Sequence, residues 1–324
     1  MSVILTFGET MAALRSEQPL RLGGSLRLSV AGAESNVAIG LARLGHPVRW
    51  AGRVGADELG ALIVRTLRAE GVDTGAIAAD PERGTGLLIF EERVGTVVRV
   101  TYRRAGSAGG AISAADVLPA LREDVAWVHA TGITAALSAA GRDCVTEVLT
   151  RARAAGAGTS LDVNYRSQLW DAGQARAVLA SLARLADVVL GSAAELALTV
   201  PDRAAGDSGQ PGPASLPEIA GLLLAGGAQE VVVKQGAAGA EVLTRDGRVH
   251  EPARRVPVVD VIGAGDGFTA GYLSARLDGA DIAGRLRRAV TAGAFAVAQR
   301  GDWEGLPTRD ELTLLDGDQQ EAHR

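Results

Sequence analysis

Asp260-Val261-Ile262-Gly263-Ala264-Gly265-Asp266 runs directly into Gly267-Phe268-Thr269-Ala270-Gly271-Tyr272-Leu273. Residues without bulky side chains meet the start of an apolar, helix-like run. Such a junction aims bare backbone N–H groups and the positive end of a helix dipole at an anion. Asp266 falls where a carboxylate can take the proton of an incoming hydroxyl. An anion hole (Gly263, Ala264, Gly265) and a base (Asp266) at one helix start are the parts that phosphoryl transfer needs. A glycine-rich turn before a helix is also a common structural device. Asp260 ahead of it, with Ala270 and Gly271 behind, favours the functional reading.

Outward from this stretch, strand-like and helix-like segments alternate. Helical spacing continues from Gly265 to Leu277 and from Ile282 to Gln299. Upstream, short apolar runs predict strands at Val3 to Phe7, Val48 to Ala51, Val125 to Ala130, Thr159 to Val163, Val188 to Leu190 and Val231 to Lys234. Helices are predicted over Glu34 to Leu44, Glu58 to Glu70, Ala139 to Ala155, Gln174 to Leu185 and Leu216 to Ala225. This repetition predicts an α/β fold with a mostly parallel sheet covered on both faces. Glu241 to Leu243 and Val249 to Glu251 read as a hairpin around Asp246-Gly247. Leu87 to Phe90 and Val97 to Tyr102, joined near Gly95, interrupt the alternation as two successive strands. We expect one large domain over residues 1–324. A small β lid would be assembled from two excursions, about 10–30 and 84–108, closing over the carboxyl ends of the strands. Arg203 to Pro217, rich in Gly, Pro, Ser and Asp, reads as a surface loop.

Composition narrows the classes. Of 324 residues, 47% are hydrophobic, enough for a sizeable core once patterned in this way. A net charge of −5 gives no overall pull toward nucleic acid or an anionic membrane. The single cysteine, Cys144, excludes an internal disulfide and fits a reducing cytoplasm. No signal peptide is read at the start, and no apolar run approaches the roughly 20 residues of a spanning helix. The four histidines have no metal-ligand spacing and no triad pattern. Among 33 Lys and Arg the sole lysine is Lys234, which raises interest in that position.

Further segments carry candidate chemistry. Ala31-Gly32-Ala33-Glu34-Ser35-Asn36 either caps a helix or places Asn36 on a sugar hydroxyl at a cleft floor. In Asp162-Val163-Asn164-Tyr165-Arg166, alternation sends the first, third and fifth side chains the same way at a strand's carboxyl end. A solvated strand end is the competing reading. Lys234-Gln235-Gly236-Ala237-Ala238-Gly239 is a hairpin or a loop that wraps nucleotide phosphates; it does not have P-loop spacing. Tyr102 and Arg104 share one face of a lid strand. Arg104 with Arg166 would clamp a carboxylate, since guanidinium binds it as a fork.

Taken in order, these segments resemble the ribokinase-like (PfkB) sugar kinases from Gly8 to about Leu312, most specifically at Asp260 to Asp266. Gly32-Ala33-Glu34-x-Asn36, Tyr102-x-Arg104, Asp162-x-Asn164-x-Arg166 and Arg300-Gly301-Asp302-x-Glu304-Gly305 resemble the 2-keto-3-deoxygluconate kinase subgroup. The resemblance implies a three-layer sandwich with a small β lid and transfer of phosphate from ATP to a primary hydroxyl. Asp266 is then the base, and Gly263, Ala264 and Gly265 form the hole. Gly32, Asn36, Tyr102, Arg104, Arg166 and Asp302 hold the sugar acid. Asn164, Ser192, Lys234, Gly236, Ala237 and Gly239 contact ATP. Glu195 organises Mg²⁺ through water. A monovalent cation near Asp260 is a further expectation, and because an open lid leaves sheet edge and apolar surface to cover, so is a homo-oligomer. The two arginines, unpaired and desolvated without a carboxylate, would select an acid sugar over a neutral one.

The chain departs from the family pattern at Ala31, Ser192 and Leu88, where the family often has Gly, Asn and, in the subgroup, Tyr. Val261-Ile262 stands in place of ribokinase threonines. A fructokinase or other neutral-sugar kinase is the alternative within the class, and a non-catalytic nucleotide or sugar sensor the alternative outside it.

Overall fold

Ile4, Leu5, Thr6 and Phe7 are all buried, which requires a strand covered on both faces. Leu5 and Phe7 enter one apolar cluster and Ile4 the other, as strand alternation demands. The computed structural model describes residues 2–94, 97–201 and 215–316. Its strands are β1 (Val3–Gly8), β2 (Met11–Ser16), β3 (Arg27–Ala31), β4 (Val48–Gly55), β5 (Asp73–Asp80), β6 (Leu87–Val94), β7 (Val97–Arg103), β8 (Val125–Thr131), β9 (Gly158–Asp162), β10 (Val188–Gly191), β11 (Glu230–Lys234), β12 (Ala240–Thr244) and β13 (Gly247–Glu251). Its helices are α1 (Ala33–Arg43), α2 (Glu58–Ala69), α3 (Ala114–Val117), α4 (Gly132–Leu137), α5 (Ala139–Ala154), α6 (Ala172–Ala183), α7 (Ala193–Leu196), α8 (Leu216–Ala225), α9 (Ala264–Leu277) and α10 (Ile282–Val297).

Nine strands form the main sheet in the order β13-β12-β11-β10-β9-β8-β1-β4-β5. All neighbours from β11 to β5 are parallel, and β12 and β13 add on as antiparallel strands. The chain builds outward from β1 to β4 on one side and to β8 on the other. That divergence opens a crevice at the carboxyl ends of the strands. Val145, Val148, Leu179 and Leu223 cover one face of the sheet; Val37, Leu41, Ile63, Leu67, Leu273 and Leu286 cover the other. Each such side chain contributes roughly 1.5–3 kcal/mol on burial.

A second sheet, ordered β3-β2-β6-β7, comes from two excursions and lies over the crevice. Met11, Ala13, Leu88 and Phe90 form its small core, with Ile262 packed against them. The lid therefore closes directly on the glycine-rich turn.

The predicted strands and helices are present. β5 was not expected: Asp-Thr-Gly-Ala-Ile-Ala-Ala-Asp has little intrinsic strand preference and becomes a strand by pairing with β4 at the sheet edge. The expected turn at Gly95 and most of the expected loop at Arg203 to Pro217 lie outside the described residues. Among the described residues, no helix is long and apolar enough to cross a membrane.

Candidate active site

Gly263 sits at φ +74°, the left-handed region, just ahead of α9. A Cβ there would also run into the backbone carbonyl of Asp302. Position 263 thus requires glycine on two counts. α9 starts at Ala264, so the N–H groups of its first turn have no partner inside the helix and remain free for an anion. Asp266, in that same turn, accepts a hydrogen bond at Oδ2 from Asn36 Nδ2 at 2.8 Å. Burial pushes the Asp266 carboxyl up to about 6; the Asn36 hydrogen bond and the Lys234 charge oppose the rise, and Asp162 adds to it.

These groups line a cavity of about 410 Å³. Strand ends build its floor: Glu9 after β1, Asp162 from the end of β9, Asn164 just beyond it, and Lys234 from β11. Met11, Leu88, Phe90, Val100, Tyr102 and Arg104 of the lid form its roof. A larger groove of about 760 Å³ lies where β11 begins, around Glu230, and has no glycine-rich helix start.

Lys234 Nζ bonds Asp162 Oδ2 at 2.5 Å and the Gly265 carbonyl at 3.1 Å. Asp162 Oδ2 also accepts Thr269 Oγ1 at 3.0 Å. The lysine is thereby fixed beside the Gly265 carbonyl at the start of α9. Asn164 takes φ +41° at the end of β9 and lines the cavity. Gly32, Asn36, Tyr102, Arg104, Arg166 and Asp302 also line it. Gly32 has a packing role as well, since a Cβ there would press on the carbonyl of Glu9.

Other expected residues lie outside the cavity lining or are already engaged. Ser192, Gly236, Ala237 and Gly239 are not among the lining residues. Ser192 caps α7, donating its N–H to Glu195 Oε2 at 2.8 Å. Gly239, at φ +99°, makes the tight return into β12. Glu195 spends its other oxygen on the N–H of Tyr165 at 3.0 Å. Among the described residues, no group of three His, Cys, Asp or Glu side chains could hold a metal ion directly.

The expected pair of bare arginines needs correction. Arg104 donates Nε to Glu9 Oε2 at 2.7 Å, and its Nη2 also reaches that oxygen. Ser107 Oγ donates to Glu9 Oε1 at 2.5 Å. Glu9 is buried, so Arg104 is neutralised inside the protein and stacks near Tyr102. Arg166 is exposed and, among the described residues, bonds only the Tyr165 carbonyl, with no carboxylate paired to it. Neither arginine is both desolvated and unpaired. Asn36 likewise serves Asp266 with its amide nitrogen, leaving Oδ1 buried and unpartnered for a ligand hydroxyl.

Sequence reasoning passed over Glu9 and Arg15, and gave Glu34 no role beyond the helix start and its motif. Glu9 could have been noticed because it follows Gly8 at the end of a buried parallel strand. Glu34 is fully buried beneath Gly8, accepting Thr131 and Thr134 hydroxyls at 2.5 and 2.6 Å; burial raises its pKa. Arg15 reaches from β2 to Asp260 Oδ2 at 2.8 Å, a pairing with no sequence signal.

The pfkB family carbohydrate kinase profile matches residues 1–309. A 2-dehydro-3-deoxygluconokinase of Bacillus subtilis is 36% identical over 329 residues, covering 99% of this chain and 97% of its own. An Escherichia coli protein described as a ribokinase II, solved with ATP and Mg²⁺, superposes with TM-score 0.89 at 26% identity, covering 98% of this chain and 99% of its own. A Vibrio cholerae fructokinase double mutant, solved with fructose, ADP and potassium ion, gives TM-score 0.82 at 26% identity, covering 97% and 98%. A family match over residues 1–309, together with a relative 36% identical over nearly the whole chain, makes this chain a member of the pfkB family of carbohydrate kinases.

Proposed function

We propose that this protein transfers the terminal phosphoryl group of ATP to the primary hydroxyl of a sugar acid, 2-keto-3-deoxygluconate giving its 6-phosphate. The observation that carries the reading is the Asp266 carboxyl, oriented by Asn36 on the cavity floor beside the open N-terminus of α9. Full-length similarity to the Bacillus 2-dehydro-3-deoxygluconokinase supports the substrate assignment.

In this mechanism Asp266 takes the proton from the sugar hydroxyl as it attacks in line. The first-turn N–H groups of α9 hold the transferring phosphoryl, with the Lys234 ammonium beside them to balance developing charge. Asn36, Gly32, Tyr102 and Asp302 position the sugar. Arg166 meets the carboxylate, and Arg104, already balanced by Glu9, offers its remaining N–H groups. Asn164, Ser192, Gly236, Ala237 and Gly239 border the path for the nucleotide. Mg²⁺ entering with ATP would neutralise phosphate charge. Both Glu195 oxygens already accept backbone N–H groups, so Glu195 would hold such an ion through its water rather than directly. The lid expels water when it closes.

The Glu9–Arg104 pair favours one second reading, a neutral-sugar kinase, because it cancels one of the two charges an acid sugar would seek. A coupled ADP-release assay against 2-keto-3-deoxygluconate, its C4 epimer, fructose and ribose separates the two. Preference for fructose or ribose by kcat/KM would overturn the sugar-acid assignment.

Leu20, Leu22, Leu26 and Leu28 are exposed on the outer lid, which supports a homo-oligomer that covers them. The lone, buried Cys144 supports residence in the reducing cytoplasm.

A further inference from the structure

Asp260 ties together the two backbone segments that shape the anion hole. Its Oδ1 accepts the Ile262 N–H at 3.1 Å, and its Oδ2 accepts the Gly301 N–H at 3.3 Å. Ile262 leads into Gly263, and Gly301 leads into Asp302, whose carbonyl abuts Gly263. Asp260 and Asp302 are both buried, and Asp266 lies near enough to act electrostatically on Asp302. Such a cluster demands a counter-charge.

That charge is Arg15. Its guanidinium is buried, with Nη1 at 2.8 Å from Asp260 Oδ2 and Nη2 at 3.6 Å from Asp302 Oδ2. It lies over the Phe90 ring at 4.3 Å from the centroid, inside the lid. A guanidinium stays protonated at any working pH. An alkali cation approaching Asp260 would meet this fixed positive charge and a carboxylate whose two oxygens already serve Ile262, Gly301 and Arg15. The residues around Asp260 therefore do not fit a monovalent metal ion.

We infer that Arg15 is a built-in cation of the anion hole, a positioning residue that holds Asp260 and hence the Gly263 turn, and that it makes a monovalent metal ion unnecessary here. Because Arg15 belongs to lid strand β2, the same contact couples lid closure to the shape of the hole. The inference concerns the hole, and it stands whichever sugar the lid covers.

The experiment compares wild type, Arg15→Ala and Arg15→Lys in choline chloride, in KCl and in a few millimolar guanidinium chloride, well below denaturing levels. Two readouts are taken: ADP release with ATP and whichever sugar turns over, and the melting midpoint without sugar. Wild type should show the same kcat, within about twofold, and the same midpoint in choline and in potassium. Arg15→Ala should lose roughly 10- to 100-fold in kcat in choline, the usual cost of removing an outer partner that orients a functional group. Potassium or guanidinium should restore part of that loss and raise the variant's midpoint, because only a folded site binds them. Arg15→Lys should lie between. Potassium activation of wild type by more than about fivefold, or an Arg15→Ala variant as active in choline as wild type, would overturn the inference. Should Arg15→Ala not fold, the wild-type comparison and Arg15→Lys decide. If no acid sugar turns over, the sugar-acid reading fails alone, because the melting comparison needs no sugar.

Discussion

Asn36 Nδ2 and Asp266 Oδ2 lie 2.8 Å apart although 230 positions separate the two residues in sequence. One comes from the first turns of α1, the other from the first turn of α9, and the two helices pack side by side. The hydrogen bond favours the charged form of the carboxyl and aims it at the cavity. Asp266→Asn keeps the shape and removes the base. We expect kcat to fall by about 10²- to 10⁴-fold, with ATP binding by calorimetry nearly unchanged. A variant that keeps more than about a tenth of wild-type turnover would exclude Asp266 as the base.

The pH profile follows from the same group. Its pKa rises from 3.8 to about 6, with burial the main cause. Activity needs the deprotonated form, so kcat/KM should climb as pH passes through about 6. Asn36→Ala removes a bond to the charged form, and the acid limb should then move to higher pH. An unmoved limb would show that another group sets it.

Stability should run opposite to activity. The folded chain holds the Asp266 proton more tightly than the unfolded one, so the carboxyl's contribution is intact below pH 3.8 and lost as pH rises through about 6. Above that, its charge costs the fold at most about 3 kcal/mol. Asp266→Asn should therefore raise the urea midpoint at pH 7.5, with a smaller gain at pH 5. Equal gains at both values would point to some other cause.

The two cavity arginines should respond differently. Arg166→Ala should weaken the sugar acid by roughly 10- to 100-fold, the worth of a charge-assisted hydrogen bond, and barely affect fructose or ribose. Arg104→Ala strands buried Glu9 without its partner and should cost about 3–5 kcal/mol in denaturant unfolding. Adding Glu9→Gln to Arg104→Ala should recover much of that loss. Equal loss for all sugars in Arg166→Ala would remove the carboxylate contact.

The glycines of the hole should not be equivalent. At Gly263 the left-handed backbone and the Asp302 carbonyl both reject a side chain, so Gly263→Ala should cripple turnover and lower the melting midpoint. At Gly265 a Cβ would meet only Lys234 Nζ at 3.6 Å, an ordinary contact, and Gly265→Ala should fold like wild type. Similar melting of the two variants would contradict this distinction.

Read from sequence alone, the order of strands and helices and the Asp260 to Asp266 stretch were already legible. Apolar runs bounded by Gly and Pro report burial directly, and small residues before an apolar helix report an anion hole. β5 was not legible, because Ala, Gly and Asp become a strand there only by bonding to β4. The Glu9–Arg104 pair was not legible either. Glu9 ends β1 and Arg104 follows β7, and only the closure of the lid sheet over the main sheet joins them. The chain's periodicity thus determined its layers and the helix start that carries its candidate base, since those depend on neighbours a few residues away. Which charges cancel, which arginine stays free, and what balances Asp260 were decided by tertiary structure. Electrostatic partners are chosen by distance in space, and nothing in local sequence encodes that distance.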